Sequence, residues 1–244
     1  CFTGDMTIFR LDLAEKLSLL EGCKVVGADC EWTALLPEKG RKKNIAWPWT
    51  KQALKHKPEL YSLSLSGQVG NEIVSIGISF PLTDNEHTII QRFILKHGCI
   101  FHNAMSDLIW LFSKGFEVKL AGDTMVLAHL MDESQGLSLE QLATNYTSIN
   151  PGWKQELWYE RPKNNAVWHR LLTRNMIDAY AALLLAEALY IDIHTRSQEE
   201  QTNIMRMYAK HQIPAIPMLA EMALLGVPVD EDALGKAIDV TLKK

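Results

Sequence analysis

Over the first hundred residues the apolar positions fall in short runs separated by turn residues. "MTIFRL" predicts a short strand, "DLAEKLSLLEG" a helix closed by Gly22, and "KVVGADCE" an apolar strand. Residues 36–59 break this pattern. "LYSLSLSG" and "NEIVSIGISF" then alternate around a glycine-containing turn and predict a hairpin, and "GCIF" is a brief strand leading into the helical "NAMSDLIWLFSKG". Beyond it the spacing is mostly helical, through "DTMVLAHLMDE", "SLEQLATNY" and the long "AVWHRLLTRNMIDAYAALLLAEALY". Strands early, with helices between and after them, predict an α/β fold with a mixed central sheet flanked by helices and a C-terminal helical extension.

Carboxylates interrupt this pattern at three places. Asp29 and Glu31 are two apart on a strand, so they project from one face while Cys30 points to the packed side. Two anions side by side repel unless a cation lies between them; the alternative is that the strand has ended and both acids are solvated. Asn103 and Asp107 are four apart on a helix, near its start and on one face. A capping role accounts for Asn103 but less well for Asp107, one turn inside. Asp178 sits in an alanine- and leucine-rich helix, where a lone carboxylate costs several kcal/mol unless it is paired or bound to metal.

Composition narrows the class. With 244 residues, 47% hydrophobic and 22% charged, the chain suits one sizeable domain or a domain with an appendage. Cys1, Cys23, Cys30 and Cys99 form no CxxC pair, which predicts reduced thiols in an intracellular protein of the cytoplasm, the nucleoid or an organelle. No run approaches a membrane span and no signal peptide is expected. Net charge is -4, so no overall basic field points to nucleic acid. The charge is unevenly spread, however. The segment "PEKGRKKNIAWPWTKQALKHKPEL" concentrates Lys39, Arg41, Lys42, Lys43, Lys51, Lys55 and Lys57 around Trp47 and Trp49. That combination suits a single-stranded nucleic acid, and equally a solvated loop whose tryptophans cover a sheet edge. Eight histidines without HxxxH, HExxH or cysteine partners exclude a zinc reading; His129 is expected to be a packed helix residue, and Tyr180 to face away from Asp178. No phosphate-binding glycine loop or nucleophilic serine motif is present.

With these motifs in order, the sequence resembles the DEDD-type 3′-5′ exonucleases of the ribonuclease-H-like fold, and more narrowly the proofreading domain of family A DNA polymerases. Asp29-Cys30-Glu31 matches the first motif, with Leu35 where that family has a leucine packed against the 3′ nucleotide. Asn103 and Asp107 match the second motif and Asp178 the last aspartate. "GDTMVLAHLMDESQGLSLEQLATNY" resembles the connecting segment, in which Asp123 is expected to be structural, and "IPAIPMLAEMALLGVPVDEDAL" resembles the entry into the polymerase region. The resemblance spans essentially the whole chain.

It implies hydrolysis of DNA from the 3′ end to nucleoside monophosphates, with two divalent cations, Mg2+ or substituting Mn2+, roughly 3.5–4 Å apart. Asp29, Glu31 and Asp178 would hold the nucleophile-side ion, and Asp29 with Asp107 the other; Leu35, Asn103, Lys42, Lys43 and Trp47 are the expected substrate contacts. The implied partners are a single-stranded or frayed DNA 3′ end and the polymerase domain of a longer chain, in a monomer without a membrane. Residues 1–202 would be the exonuclease domain, 197–203 a polar hinge, and 203–244 the start of the polymerase region. One position departs from the family. Where polymerase-type members carry tyrosine, four residues before the last aspartate, stands Arg174, and where another branch carries histidine stands Thr173. Arginine stays protonated and cannot act as a general base. Arg174 is placed to pair with Asp178, one turn on, to clamp a phosphate, or simply to face solvent. Two alternatives to proofreading therefore stand: a catalytically weakened or silent module that binds DNA or braces the polymerase, and an RNA-trimming exonuclease resembling ribonuclease D.

Overall fold

In the computed structural model, residues 12–32, 59–150, 152 and 165–226 are described. The expected "MTIFRL" strand, Leu35 and the basic segment with Lys42, Lys43 and Trp47 lie outside them. Among the described residues the strands are β1 (Val25–Trp32), β2 (Leu60–Val69), β3 (Glu72–Ser79), β4 (Gly98–Phe101) and β5 (Leu120–Asp123). The helices are α1 (Leu13–Ser18), α2 (Asp84–Lys96), α3 (Ala104–Ser113), α4 (Thr124–Met131), α5 (Leu139–Tyr146), α6 (Asn165–His194), α7 (Gln198–Met207) and α8 (Ile213–Leu225). A π-helical turn, Tyr208–Gln212, joins the last two.

The sheet runs β3-β2-β1-β4-β5. The β1–β2–β3 meander is antiparallel, whereas β4 and β5 continue it in parallel from β1, so the sheet is mixed. α1 begins with a reciprocal Asp12–Glu15 capping box but ends at Ser18, before the expected stop at Gly22. Two elements have no counterpart in the hydrophobic pattern: α2, started by a Thr83–Glu86 capping box, and the four-residue β5.

The two sheet faces differ in chemistry. On one, Val26, Ala28, Cys30, Leu63, Leu65, Ile76 and Ile78 form a continuous core with Leu20, Ile90, Phe93, Leu108, Trp110 and Ile216 from the helices. On the other, strand register lines up rows of small and polar residues: Gly27, Ser66 and Ser75; Asp29, Ser64 and Gly77; Glu31, Ser62 and Ser79. α6 lies directly on this second face. A Cβ on Gly27 would come within 2.1 Å of the Ala179 carbonyl oxygen, and one on Gly77 within 2.5 Å of Leu172 Cδ1. Glycine at these positions lets the helix backbone approach the sheet. Further along, Ala181, Leu185, Leu189 and Ile193 of α6 build a second core with Leu127, Ala128, Leu139, Leu142 and Tyr208.

Residues 197–203, expected to be a hinge, form the Ser197–Glu200 capping box and first turns of α7, so position 203 lies inside a helix. Ile216 and Ala220 of α8 reach the core of the sheet. His129, expected to be packed, is exposed: it stands beside Leu130 on the side of α4 opposite the buried Leu127, Ala128 and Met131.

Candidate active site

β1 ends where α6 crosses it, and this crossing gathers the acids. Asp29 and Glu31 follow Gly27 at period two on the α6-facing side, so the close approach at Gly27 carries Asp178, the neighbour of Ala179, to the same place. Asp29, Glu31 and Asp178 each offer an oxygen within 4.8 Å of the others. Trp32, the last residue of β1, stacks on Trp110 of α3 at 5.7 Å between ring centroids and anchors the strand end.

A cation is built into the cluster. Arg174 Nη2 lies 3.6 Å from Glu31 Oε1, and its Nε lies 3.8 Å from Asp178 Oδ2. The arginine is only 8% exposed, which excludes the solvent-facing reading and adds Glu31 to the pairing with Asp178. Asp29 is held differently: Asn175 Nδ2 donates to its Oδ2 at 2.6 Å.

Asp107 stands one peptide away from the trio. Its Oδ1 accepts the backbone N–H of Cys30, the residue between Asp29 and Glu31, at 2.8 Å. Burial pushes its carboxyl well above the usual carboxylate range, against the pull of that N–H. Asn103 takes the left-handed conformation at the start of α3 (φ 65°) and does not cap it with its side chain, which instead donates to Ser106 Oγ. The cap comes from Asp123, the residue expected to be structural. Its carboxylate accepts from the backbone N–H groups of Asn103 and Ala104 at 3.1 and 2.7 Å, and from those of Met125 and Val126 at 2.9 and 3.2 Å. One side chain thus ties two helix starts together, and Tyr208 Oη accepts the Asp123 backbone N–H at 2.7 Å.

Hard oxygen donors converging from a strand and a helix suit Mg2+ or Mn2+ and do not suit a soft metal. The donor set therefore fits the implied ions, with Arg174 supplying part of the balancing charge. The hydrophobic pattern did not reveal Asn175, Ser62 and Ser64. Two signals for them existed: the period-two serines of "LYSLSLSG" beside the first motif, and an asparagine three residues before Asp178 on its helical face.

A mixed α/β sheet that gathers carboxylates from its central strand and a late helix defines a ribonuclease-H-like exonuclease domain. The chain belongs to the 3′-5′ exonuclease family of the A-type DNA polymerases, whose family model, described as 3′-5′ exonuclease, matches residues 10–183. No curated protein matches the chain in sequence. Among solved structures it is similar to the POL domain of Pol1 from M. smegmatis in complex with DNA primer-template and dNTP, with a TM-score of 0.63 and 18% identity over 92% of this chain. The chain spans 32% of that polymerase's length. It is also similar to a structure described as the apo form of a nuclease, with a TM-score of 0.53, 13% identity, and 88% and 90% of the two chains covered. At these identities the likeness is one of fold.

Proposed function

We propose that the chain is a metal-dependent exonuclease that hydrolyses DNA from the 3′ end to nucleoside monophosphates, serving as the proofreading domain of a longer family A DNA polymerase. The observation that carries this reading is the convergence of Asp29, Glu31 and Asp178 within 4.8 Å, from two elements far apart in sequence. Asp29, Glu31 and Asp178 would hold one divalent ion, and Asp29 with Asp107 a second. Such ions supply activation of water and stabilisation of the departing 3′ oxygen. The protein's own part is to hold these carboxyl groups close together against their repulsion. Arg174, fixed between Glu31 and Asp178, adds a permanent positive charge at the place where an anionic phosphate would enter. Residues 203–244 are proposed as the start of the polymerase region, docked on the exonuclease core through α8.

One observation favours a second reading, a domain that binds DNA but cuts it weakly. Arg174 already pairs with two of the three clustered acids, and it stands where the family's tyrosine orients water. A single assay separates the two readings. With Mn2+ and 3′-labelled single-stranded DNA, the wild type is expected to release labelled mononucleotide, and Asp29→Ala and Asp178→Ala to fall to background. DNA left intact at high enzyme concentration, yet bound, would establish the weakened module instead. A matching RNA strand trimmed faster than DNA would overturn the proofreading assignment.

A further inference from the structure

Behind Asp29 lies a hydrogen-bonded chain with no part in the family motifs. Asn175, next to Arg174 on α6, is fully excluded from solvent, and so are Ser62 and Ser64 on β2 beneath it. The Asn175 side-chain oxygen accepts from Ser62 Oγ at 2.8 Å and from Ser64 Oγ at 2.6 Å, while its Nδ2 donates to Asp29 Oδ2 at 2.6 Å.

Chemistry forces the polarity of this chain. An ionised carboxylate only accepts, so the amide must turn its NH2 to Asp29. Its oxygen then faces β2, and both serine hydroxyls must give it their protons. Each link is determined by the next, and rotating the amide by half a turn would set an oxygen against the carboxylate. A buried polar network satisfied in this way is rigid, because breaking any bond leaves a donor or acceptor without water to replace the partner. The third serine of the row makes the contrast plain. Ser66 is equally buried on the same face of β2, but it bonds Ser75 Oγ at 2.6 Å and the Met176 carbonyl at 3.4 Å, outside the chain that leads to Asp29.

We propose that Asn175 is a positioning residue that holds the Asp29 carboxyl group in one orientation for a divalent cation, and that Ser62 and Ser64 lock Asn175 in place. The inference rests on the reading of Asp29 as a metal ligand. A short bond from a fully buried amide, at 2.6 Å, fixes the direction in which the Asp29 oxygens point. The residues of the site therefore divide the work: Arg174 balances Glu31 and Asp178 by charge, and Asn175 orients Asp29 by direction.

The test is Mn2+ binding to the whole chain by titration calorimetry, with thermal unfolding followed in parallel. Asn175→Ala is expected to weaken Mn2+ binding by about 10–100-fold, the usual cost of removing a partner behind a metal ligand. The double variant Ser62→Ala, Ser64→Ala should weaken it in the same direction and carries the test should Asn175→Ala not fold. Ser66→Ala, which removes an equally buried hydroxyl, should lower the unfolding temperature while leaving Mn2+ affinity within about twofold. Folded variants that bind Mn2+ as tightly as the wild type, or a Ser66→Ala loss as large as that of the double variant, would overturn the inference and leave the exonuclease reading intact. A wild type that binds no Mn2+ would overturn both.

Discussion

Arg174 is the residue on which the chemistry of the site turns. Three carboxylates within 4.8 Å repel, and its guanidinium answers Glu31 and Asp178 from a position that is 91% excluded from solvent at the side chain, being 9% exposed. Removing that charge takes a guanidinium away from the half-buried Glu31 and the buried Asp178. Arg174→Gln should therefore lower the stability of the metal-free protein by about 1–3 kcal/mol. Saturating Mn2+ should recover most of that loss, since an ion bound only by the folded state stabilises it by mass action. Thermal unfolding with chelator and with Mn2+ reads both effects, and an equal loss in the two conditions would show that Arg174 does not balance the cluster. Asp29, Glu31 and Asp107 were legible as candidates from spacing, two or four apart within single elements, and Asp178 from its place in an apolar helix. Asn175 was not, since its partners are 113, 111 and 146 residues away and only folding brings them together.

At the scale of elements, the decisive contact is α6 on the polar face of β1, β2 and β3. In a sheet, alternating serines ordinarily mark the side that faces water. Here that side is covered, and its glycines and hydroxyls are small enough to let a helix backbone lie against it. Gly27→Ala tests this directly. Its Cβ would meet the Ala179 carbonyl oxygen at 2.1 Å, a backbone atom that yields only if α6 moves. The substitution should cost about 1–3 kcal/mol of stability as overpacking. It should also weaken Mn2+ binding, because Asp178 moves with Ala179. A variant with an unchanged urea midpoint and unchanged Mn2+ affinity would refute the close approach as the device that assembles the site. α2 and β5 have no clear signature in the sequence for different reasons: α2 fully buries just Ile90, Phe93 and Ile94 in thirteen residues, and β5 is too short to show alternation.

Across the whole molecule, burial reaches groups that have no role in the chemistry. Cys99 is 1% exposed on β4, and burial pushes its thiol up to about 12. An unfolded thiol ionises near about 8.5, so above that pH the unfolded state holds fewer protons than the folded one and stability falls as pH rises. The contribution of Cys99 is fully present below about 8.5 and is lost as pH climbs toward about 12. Between about pH 9 and 11 the wild type should lose stability more steeply than Cys99→Ala, by about 1.4 kcal/mol per pH unit, in urea unfolding. Parallel slopes would mean that the thiol titrates alike in both states. At this scale too the C-terminal helices join the sheet core, through Tyr208 at Asp123 and through Ile216 and Ala220. The sequence by itself determined the strand-and-helix alternation and which acids are candidates, because these follow from local periodicity and from residue type at fixed spacing, while the place of Arg174 beside Glu31 and Asp178 came from the fold. Only the tertiary structure decided which face α6 covers, that Asp107 bonds the β1 backbone beside the trio, that Asp123 caps two helices, and that Asn175 stands behind Asp29. The physical reason is common to all four: each depends on the distance between elements, which is set by packing across the sheet and leaves no mark on the spacing of residues within any one element.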